Sequence, residues 1–358
     1  MNPNTTRRLY VAEQEHFVHE VPGTYPRLCR LADGSILAGF TRFLPGGQRA
    51  LTVVRSTDGA RTFRPHGEVT RSSGDCDNLF LLEVPPGPGA PTVLAAFRNH
   101  DLGGDGVHTY FRITVCRSAD GGRTWSYLSQ AAEKPAPLGL WEPFLRVAGG
   151  GGGGEVQLFF SQELAADDQD TMVVRSADGG ATWSARRRVT GAGEALRDGM
   201  VGLAEAEYEY GCCGGRRSAL VLVMETTRGG TFSVEAAVSL DDGDTFGSRH
   251  VVYRARDGRN AGAPQIAAFA DGSAAVVFMT DEDGEGPSTW PRGATIKAVL
   301  GTFRPGGTLQ WSAPQVVCDA ASCWPGIVRI ADDAALAAYE SSSSIRGRIL
   351  RVATLPAS

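Results

Sequence analysis

Four segments, Ser56-Thr-Asp58-Gly-Ala-Arg-Thr62-Phe63, Ser118-Ala-Asp120-Gly-Gly-Arg-Thr124-Trp125, Ser176-Ala-Asp178-Gly-Gly-Ala-Thr182-Trp183 and Ser239-Leu-Asp241-Asp-Gly-Asp-Thr245-Phe246, share the pattern S-x-D-x-x-x-T-[W/F]. Their first residues stand 62, 58 and 63 positions apart. The residue types suit a β-turn: the Asp side chain accepts from turn amides, Gly supplies a positive φ, and the aromatic ring packs beneath. Each segment follows an alternating apolar run (LTVVR, RITVCR, TMVVR, VEAAVS) and precedes another strand, so each reads as a hairpin tip.

A second pattern, in register with the first, occurs six times as a strand, a turn and a strongly apolar strand. Its copies are YPRLCRLADGSILAGFTR (25–42), DNLFLLEVPPGPGAPTVLAAFRN (77–99), WEPFLRVAGGGGGGEVQLFFSQE (141–163), DGMVGLAEAEYEYGCCGGRRSALVLVMET (198–226), APQIAAFADGSAAVVFMTD (263–281) and WPGIVRIADDAALAAYES (324–341). Six such pairs account for the whole chain. They predict an all-β, six-bladed propeller with four-stranded antiparallel blades, strands A to D from the axis outward, and an Asp-box turn between C and D. The fifth blade carries a degraded tip, RPGGTLQW (304–311), and the sixth lacks a fourth strand of its own, which LYVAEQEHFVHEV near the N-terminus is expected to supply. No linker divides residues 1–358, so one closed domain is expected; its low-complexity run Gly149–Gly154 is an A–B loop.

Composition agrees. Hydrophobic residues make 42% of the chain, enough for a sizeable core, and the 46 Gly and 19 Pro mark many turns. Net charge is −5 with both signs interspersed and no basic tract, which argues against nucleic acid as a partner. No apolar run approaches the ~20 residues of a membrane span. The start, MNPNTTRRLYVAEQEHF, has no apolar signal region; the chain is expected to be a secreted protein in mature form, with a cytosolic location as the alternative, and a monomer. The seven cysteines show no metal-ligand spacing, so neither metal nor cofactor is expected. Cys318 and Cys323 could close a short disulfide loop, adjacent Cys212 and Cys213 do not suit one, and free thiols filling core space are the alternative.

With strand A innermost, A-starts and B-ends meet on one rim and the Asp boxes lie on the other, so a site belongs at the first rim and the Asp boxes are structural. The B-ends read Thr41-Arg42, Arg98-Asn99-His100-Asp101, Ser161-Gln162-Glu163, Glu225-Thr226, Thr280-Asp281 and Tyr339-Glu340. The A-starts read Tyr25-Pro-Arg27, Asp77-Asn78, Trp141-Glu142, Arg197-Asp198, Pro264-Gln265 and Trp324-Pro325. Charge aimed at a propeller axis costs desolvation unless it is paired or used. Glu163 and Glu225 end very apolar strands of adjacent blades at what reads as one position, and suit a glycosidase pair of acid/base and nucleophile. Either could instead be an ion-pair partner of Arg98 or Arg27. Asp77, Asp101, Glu142 and Asp198 are further carboxylates. Asn78, His100, Gln265 and Arg27 are candidate sugar contacts. Trp141, Trp290, Trp324 and Tyr339 could stack on sugar faces, Tyr339 alternatively bonding to the nucleophile.

These motifs resemble the sialidase superfamily and, within it, glycoside hydrolase family 93, the exo-α-1,5-L-arabinanases. The likeness is carried by YPRLCRLADGSILAGF, FRNHD, FFSQE leading into DDQDTMVVRSADGGATWS, and RDGMVGLAE followed by VLVMET. It implies a retaining enzyme that releases arabinobiose from the non-reducing end of linear arabinan, with Glu163 as acid/base and Glu225 as nucleophile. A sialidase is the rival enzyme: Arg27 sits in a similar YPR context, but blades five and six place no arginine in register. A glycan-binding propeller without catalysis is the third reading.

Overall fold

The computed structural model describes residues 5–84, 92–149, 154–210, 215–256, 258–304 and 307–356; Cys212, Cys213 and most of the Gly149–Gly154 run fall outside them. β1 (Thr5–His19) precedes the first complete blade, which is β2 (Thr24–Arg30), β3 (Ile36–Phe43), β4 (Arg49–Ser56) and β5 (Arg64–Ser72). Blade two is β6 (Asp75–Val84), β7 (Thr92–Leu102), β8 (His108–Ser118) and β9 (Ser126–Pro135). Blade three is β10 (Leu140–Val147), β11 (Val156–Glu163), β12 (Gln169–Ser176) and β13 (Arg187–Arg188). Blade four is β14 (Gly199–Tyr210), β15 (Gly215–Thr226), β16 (Ser233–Ser239) and β17 (Gly247–Tyr253). Blade five is β18 (Ala261–Ala268), β19 (Ala274–Thr280) and β20 (Thr295–Phe303), its outer edge split between β21 (Leu309–Trp311) and β22 (Gln315–Cys318). Blade six is β23 (Ser322–Ala331), β24 (Ala334–Ser341), β25 (Ser344–Pro356) and, at its outer edge, β1.

The N-terminal strand thus closes the ring as expected, pairing antiparallel with β25 from Thr5↔Pro356 to His19↔Ile345. Closure ties the two ends of the chain together within one blade. Apolar side chains of the second and third strands fill the spaces between neighbouring sheets, as the residues shared within each core cluster show. One position repeats in every blade: Phe40, Phe97, Phe160, Met224, Phe278 and Tyr339 are each at most 1% exposed near the end of the second strand. Burying each contributes about 1.5–3 kcal/mol.

The four quoted turns form one hydrogen-bonded device. In the first, Asp58 Oδ1 accepts from Ser56 Oγ (2.8 Å) and from the amides of Arg61 and Thr62 (both 3.0 Å), while Oδ2 accepts from Thr62 Oγ1 (2.7 Å). Asp120, Asp178 and Asp241 repeat the Ser and Thr contacts. Register places them on the rim away from the A-starts: Ser56 opposes Ile36, beside the A–B turn, whereas Thr24 opposes Thr41 at the other end. The turns also fasten blades together. Ser129 Oγ of blade two donates to Gly180 O of the blade-three turn (2.5 Å), and Arg146 of blade three pairs with Asp242 of the blade-four turn (2.5 Å).

Among the described cysteines all five, Cys29, Cys76, Cys116, Cys318 and Cys323, are free. Of the two readings open for Cys318 and Cys323, a disulfide loop or free thiols, the structure has free thiols: Cys323 Sγ contacts Pro291 O at 3.3 Å, and Cys318 is buried in the core. No helix among the described residues is long and apolar enough to cross a membrane.

Hydrogen bonds from Thr62 and the turn amides pull the Asp58 carboxyl down to about 2 from its ordinary 3.8. A depressed carboxyl stabilises the fold above its ordinary pKa and loses that contribution as pH falls through the folded value, here from about 4 to about 2. Asp58→Ala should lower the melting temperature at pH 7 by roughly 1–3 °C, the scale of one lost turn hydrogen bond in a large domain. Asp58→Asn should flatten the acid limb of a melting-temperature profile. An unchanged limb would show that the carboxylate is not what holds the turn.

Candidate active site

All six innermost strands begin with the same irregularity. One extra residue interrupts the pairing with the second strand, between Thr24/Arg27, Asp77/Phe80, Trp141/Phe144, Gly199/Gly202, Gly262/Gln265 and Cys323/Gly326. Within each bulge one non-glycine residue adopts left-handed φ: Tyr25 (52°), Asn78 (54°), Glu142 (44°), Met200 (48°), Ala263 (50°) and Trp324 (55°). That conformation costs on the order of 1 kcal/mol per residue and bends the strand so that a side chain is re-aimed.

What holds each bulge comes from the preceding blade. The residue opposite its first position, at the end of the second strand, is Thr41, Arg98, Ser161, Glu225, Met279 or Glu340. Each reaches the start of the next inner strand. Thr41 Oγ1 donates to Asp77 Oδ1 (2.5 Å), and the Arg98 guanidinium lies over the Trp141 ring (5.3 Å). Ser161 Oγ accepts from Met200 N (3.2 Å), Glu225 Oε2 from Ala263 N (2.8 Å), Met279 Sδ from Trp324 N (3.4 Å), and Glu340 Oε2 from Thr24 Oγ1 (2.5 Å).

This register corrects the expected match of Glu163 with Glu225. The counterpart of Glu225 in blade three is Ser161; Glu163 lies two residues further out, opposite Gln169. There Glu163 Oε2 accepts from Gly139 N (2.8 Å) and Oε1 from Arg197 Nη2 (3.1 Å). Arg197 also donates to Gln169 Oε1 and Ala166 O. The carboxyl that acts electrostatically on Glu225 is Glu142.

Burial, then the Glu142 charge, push the half-buried Glu225 carboxyl up to about 7, against the opposing pull of Ala263 N and Arg197. Burial also raises Glu142, but Ser161, Arg98, Arg197 and Arg27 all pull it back. Two like charges in one pocket cannot both ionise cheaply, so the pair titrates together. The proton belongs on Glu225, which has the weaker cationic surroundings. Glu142 Oε2 and both amide atoms of Asn78 are buried without a protein partner. Unsatisfied buried polar atoms mark a place where water or ligand is expected. Arg27, Asn78, Glu142 and Gln265 also line a chamber of about 10 Å³, room for one water.

Behind this floor the axis is plugged. Arg27 donates to the carbonyls of Pro26 (2.9 Å) and Pro325 (3.1 Å), and burial draws its pKa down to about 10. Gly326 permits the approach, since a Cβ there would stand 2.5 Å from Pro26 O. A cavity of about 610 Å³ lies on the far side of Arg27 and Gln265, between the inner strands. Gln265 Nε2 donates to Val201 O (3.1 Å).

On one side of the floor sits a buried ionic cluster. Asp75 and Asp77 share Arg49 and Arg98, and His108 Nε2 lies 2.9 Å from Asp75 Oδ2. Burial and Arg98 hold His100, edge-on to Trp141, down to about 3, so it is neutral. On the other side the walls are aromatic: Tyr25 stacks on Trp324 (4.4 Å, 21°) and Phe232 on Trp290 (6.2 Å, 27°).

Of the expected site residues, Arg27, Asp77, Asn78, Arg98, His100, Trp141, Glu142, Glu163, Glu225, Gln265 and Trp324 gather about this floor, and three do not. Tyr339 is 0% exposed; it occupies the core position of Phe40 and Phe160, and its hydroxyl donates to Glu15 Oε1 on the outermost strand (2.7 Å). Strand alternation sends it to the face opposite Glu340. Asp198, also 0% exposed, is held bidentately by Arg249. Asp101 pairs with Arg112 at the surface (2.5 Å). Arg49, Asp75 and Arg197 belong to the site but are not among its expected members: Arg49 and Asp75 lie outside the aligned positions, and Arg197 is aligned at a strand start without being singled out as a contact. Among the described residues, no group of three or more His, Cys, Asp or Glu could hold a metal ion.

Raised Glu225 stabilises the fold below its ordinary 4.5, and that contribution is lost as pH rises through about 7. Glu225→Gln should therefore melt higher than the parent at pH 8 and little differently at pH 4. Equal pH dependence of the two melting curves would contradict the assignment of the proton.

No protein-family model matches the chain, and no curated protein matches it. Solved structures do. The α-L-arabinanase of Penicillium chrysogenum complexed with arabinobiose is similar over 97% of this chain and 98% of its own, with TM-score 0.67 at 16% identity. The α-L-arabinofuranosidase of Fusarium graminearum in complex with an iminosugar inhibitor is similar over 94% and 97%, with TM-score 0.65 at 17% identity. A Hadza microbial sialidase is similar over 94% of this chain and 68% of its own, with TM-score 0.62 at 17% identity. At these identities the likeness establishes architecture: the chain has the six-bladed, sialidase-like propeller fold found in arabinanases, arabinofuranosidases and sialidases.

Proposed function

We propose that this protein is a retaining glycoside hydrolase that cleaves α-1,5-linked L-arabinan from the non-reducing end and releases arabinobiose. The observation that carries the glycosidase reading is the pairing of two carboxyls, Glu225 with a value raised to about 7 and Glu142 within the field of Arg98, Arg197 and Arg27, at the floor of one funnel. The structural neighbours that bind arabinobiose or an iminosugar support the arabinan class.

In this reading Glu225 is the acid/base and Glu142 the nucleophile, which moves the nucleophile from Glu225 and the acid/base from Glu163. Glu225 gives its proton to the glycosidic oxygen as that bond breaks. The Glu142 carboxylate attacks the anomeric carbon and forms a glycosyl ester. Glu225, now ionised, takes a proton from water, whose oxygen displaces Glu142 and frees the sugar. Glu163 positions Arg197, which acts on both carboxyls. Protonated Glu225 is required, so turnover should fall as pH rises through about 7.

The sialidase reading is less well supported. Arg27 is occupied by carbonyls, Arg98 by Asp75 and Asp77, and Arg197 by Glu163, so these three guanidiniums are engaged with the protein's own acceptors rather than turned together toward a substrate carboxylate.

Linear arabinan and a sialoside, each followed by product chromatography, test the substrate class; binding without turnover on either would favour a lectin-like propeller. Glu225→Ala should lose about 10²–10⁴-fold on arabinan and less on an aryl arabinoside, with azide rescue giving a retained glycosyl azide. Glu142→Ala should be inactive on both, any azide product being inverted. An inverted azide product from Glu225→Ala and a retained one from Glu163→Ala, with Glu142→Ala active, would return the roles to Glu225 as nucleophile and Glu163 as acid/base.

A further inference from the structure

The connection between second and third strands is short in five blades: residues 44–48, 103–107, 164–168, 227–232 and 342–343. In blade five it runs through 281–294, fourteen residues against two to six. These connections emerge on the rim that carries Glu142 and Glu225, and the one in blade five is the longest of the six.

The long loop is tied down at both ends. Asp281 is 2% exposed and accepts from Asn260 N (2.7 Å). Arg256 and Arg259, from the connection between blades four and five, both donate to Gly284 O at 3.0 Å, and Arg259 also to Gly286 O. Lys297 holds Glu282 and Asp283, and Cys323 contacts Pro291 O. The loop tip is exposed, but Trp290 folds inward. It packs on the core beside Met200 and Ala263 and stacks on Phe232 from the neighbouring 227–232 connection. A Cβ on Gly262 would meet Glu225 Oε2 at 2.5 Å and the Trp290 ring at 3.2 Å, so the ring stands directly beside the Glu225 carboxyl.

We propose that the 281–294 loop closes one end of the substrate cleft, and that Trp290, backed by Phe232, is the wall on which the terminal sugar of a neutral glycan chain stacks. The ionic cluster of Asp75, Asp77, Arg49 and Arg98 lies on the blade-two side of Glu142, and the aromatic wall on the blade-five side of Glu225. A chain crossing the two carboxyls toward blade five runs into Trp290 and ends there. A flat, apolar ring is the surface that a sugar face fits. The loop's anchors are contacts of the fold itself, which limits the ordering cost of binding. The proposal rests on the glycosidase reading above and names what makes that site act on chain ends.

The test compares the parent, Trp290→Ala, Phe232→Ala and a variant with residues 284–292 replaced by two glycines. Each is given linear arabino-oligosaccharides with a free or a chemically capped non-reducing end. The parent should yield one product length from free chains and leave capped chains intact. Trp290→Ala and Phe232→Ala should lose on the order of tenfold in kcat/KM on free chains, mainly through KM. The shortened loop should cut capped chains and give a ladder of lengths. The pH at which activity falls should stay put in Phe232→Ala and move down in the two variants that lack Trp290, whose ring helps to bury Glu225. Cleavage of capped chains by the parent, or a single product length and unchanged KM in the variants, overturns the loop proposal alone. Inactivity of the folded parent on every chain overturns it together with the glycosidase reading.

Discussion

The contact on which this molecule depends joins each blade to the next at the funnel floor. The last inward residue of a second strand reaches across to a bulged, left-handed residue that opens the following inner strand. Six such contacts set the spacing of the inner strands and aim six side chains at the axis. A left-handed non-glycine residue is unfavourable by itself. It persists here because a neighbour's oxygen or sulfur accepts its amide in three blades, and a hydroxyl, guanidinium or carboxylate grips the adjoining residue in the others. Glu225 is one member of that ring, so the same hydrogen bond that holds blade five against blade four fixes the orientation of the acid.

Electrostatics divides the floor. On the blade-two side, carboxylates and arginines are buried together and neutralise one another, which is the arrangement that lets charge survive away from water. Near blades four to six the walls are aromatic or aliphatic, and Glu225 finds only an amide and a distant guanidinium. Burial raises both carboxyls of one funnel, Glu225 to about 7, so the pair can hold a proton near neutrality, which acid/base chemistry there needs. Arg27, spent on carbonyls of its own and the adjacent strand, seals the axis beneath them.

Much of this was legible beforehand. The S-x-D-x-x-x-T repeat is read correctly because every residue of the motif bonds within the same turn, so its meaning is local. Six strand pairs and the donated N-terminal strand follow from spacing and from what blade six lacks. Glu163 and Tyr339 were misplaced for a common reason. Spacing along the sequence sets Glu163 level with Glu225 and Tyr339 on the axial face, whereas pairing register places Glu163 two residues further out and turns Tyr339 onto the core face. A signal was present in the recurring large apolar residue, Phe40, Phe97, Phe160, Met224, Phe278 and Tyr339, each followed by the residue that reaches the axis. Read as a frame, it selects Ser161 and Glu340 rather than Glu163 and Tyr339.

The sequence by itself determined the number of blades, the turn chemistry and the rim on which polar residues collect, because these rest on contacts between residues close in the chain or on periodicity along it. Only the tertiary structure decided which carboxyls share a pocket. Glu142 and Glu225 are 83 positions apart, and their coupling arises from a bulge, a register and a neighbouring blade, none of which has a local signature. The same holds for Trp290, whose place beside Glu225 is set by a loop anchored on arginines of a different connection. Proximity across a ring is decided by how the blades close, and closure is a property of the whole chain.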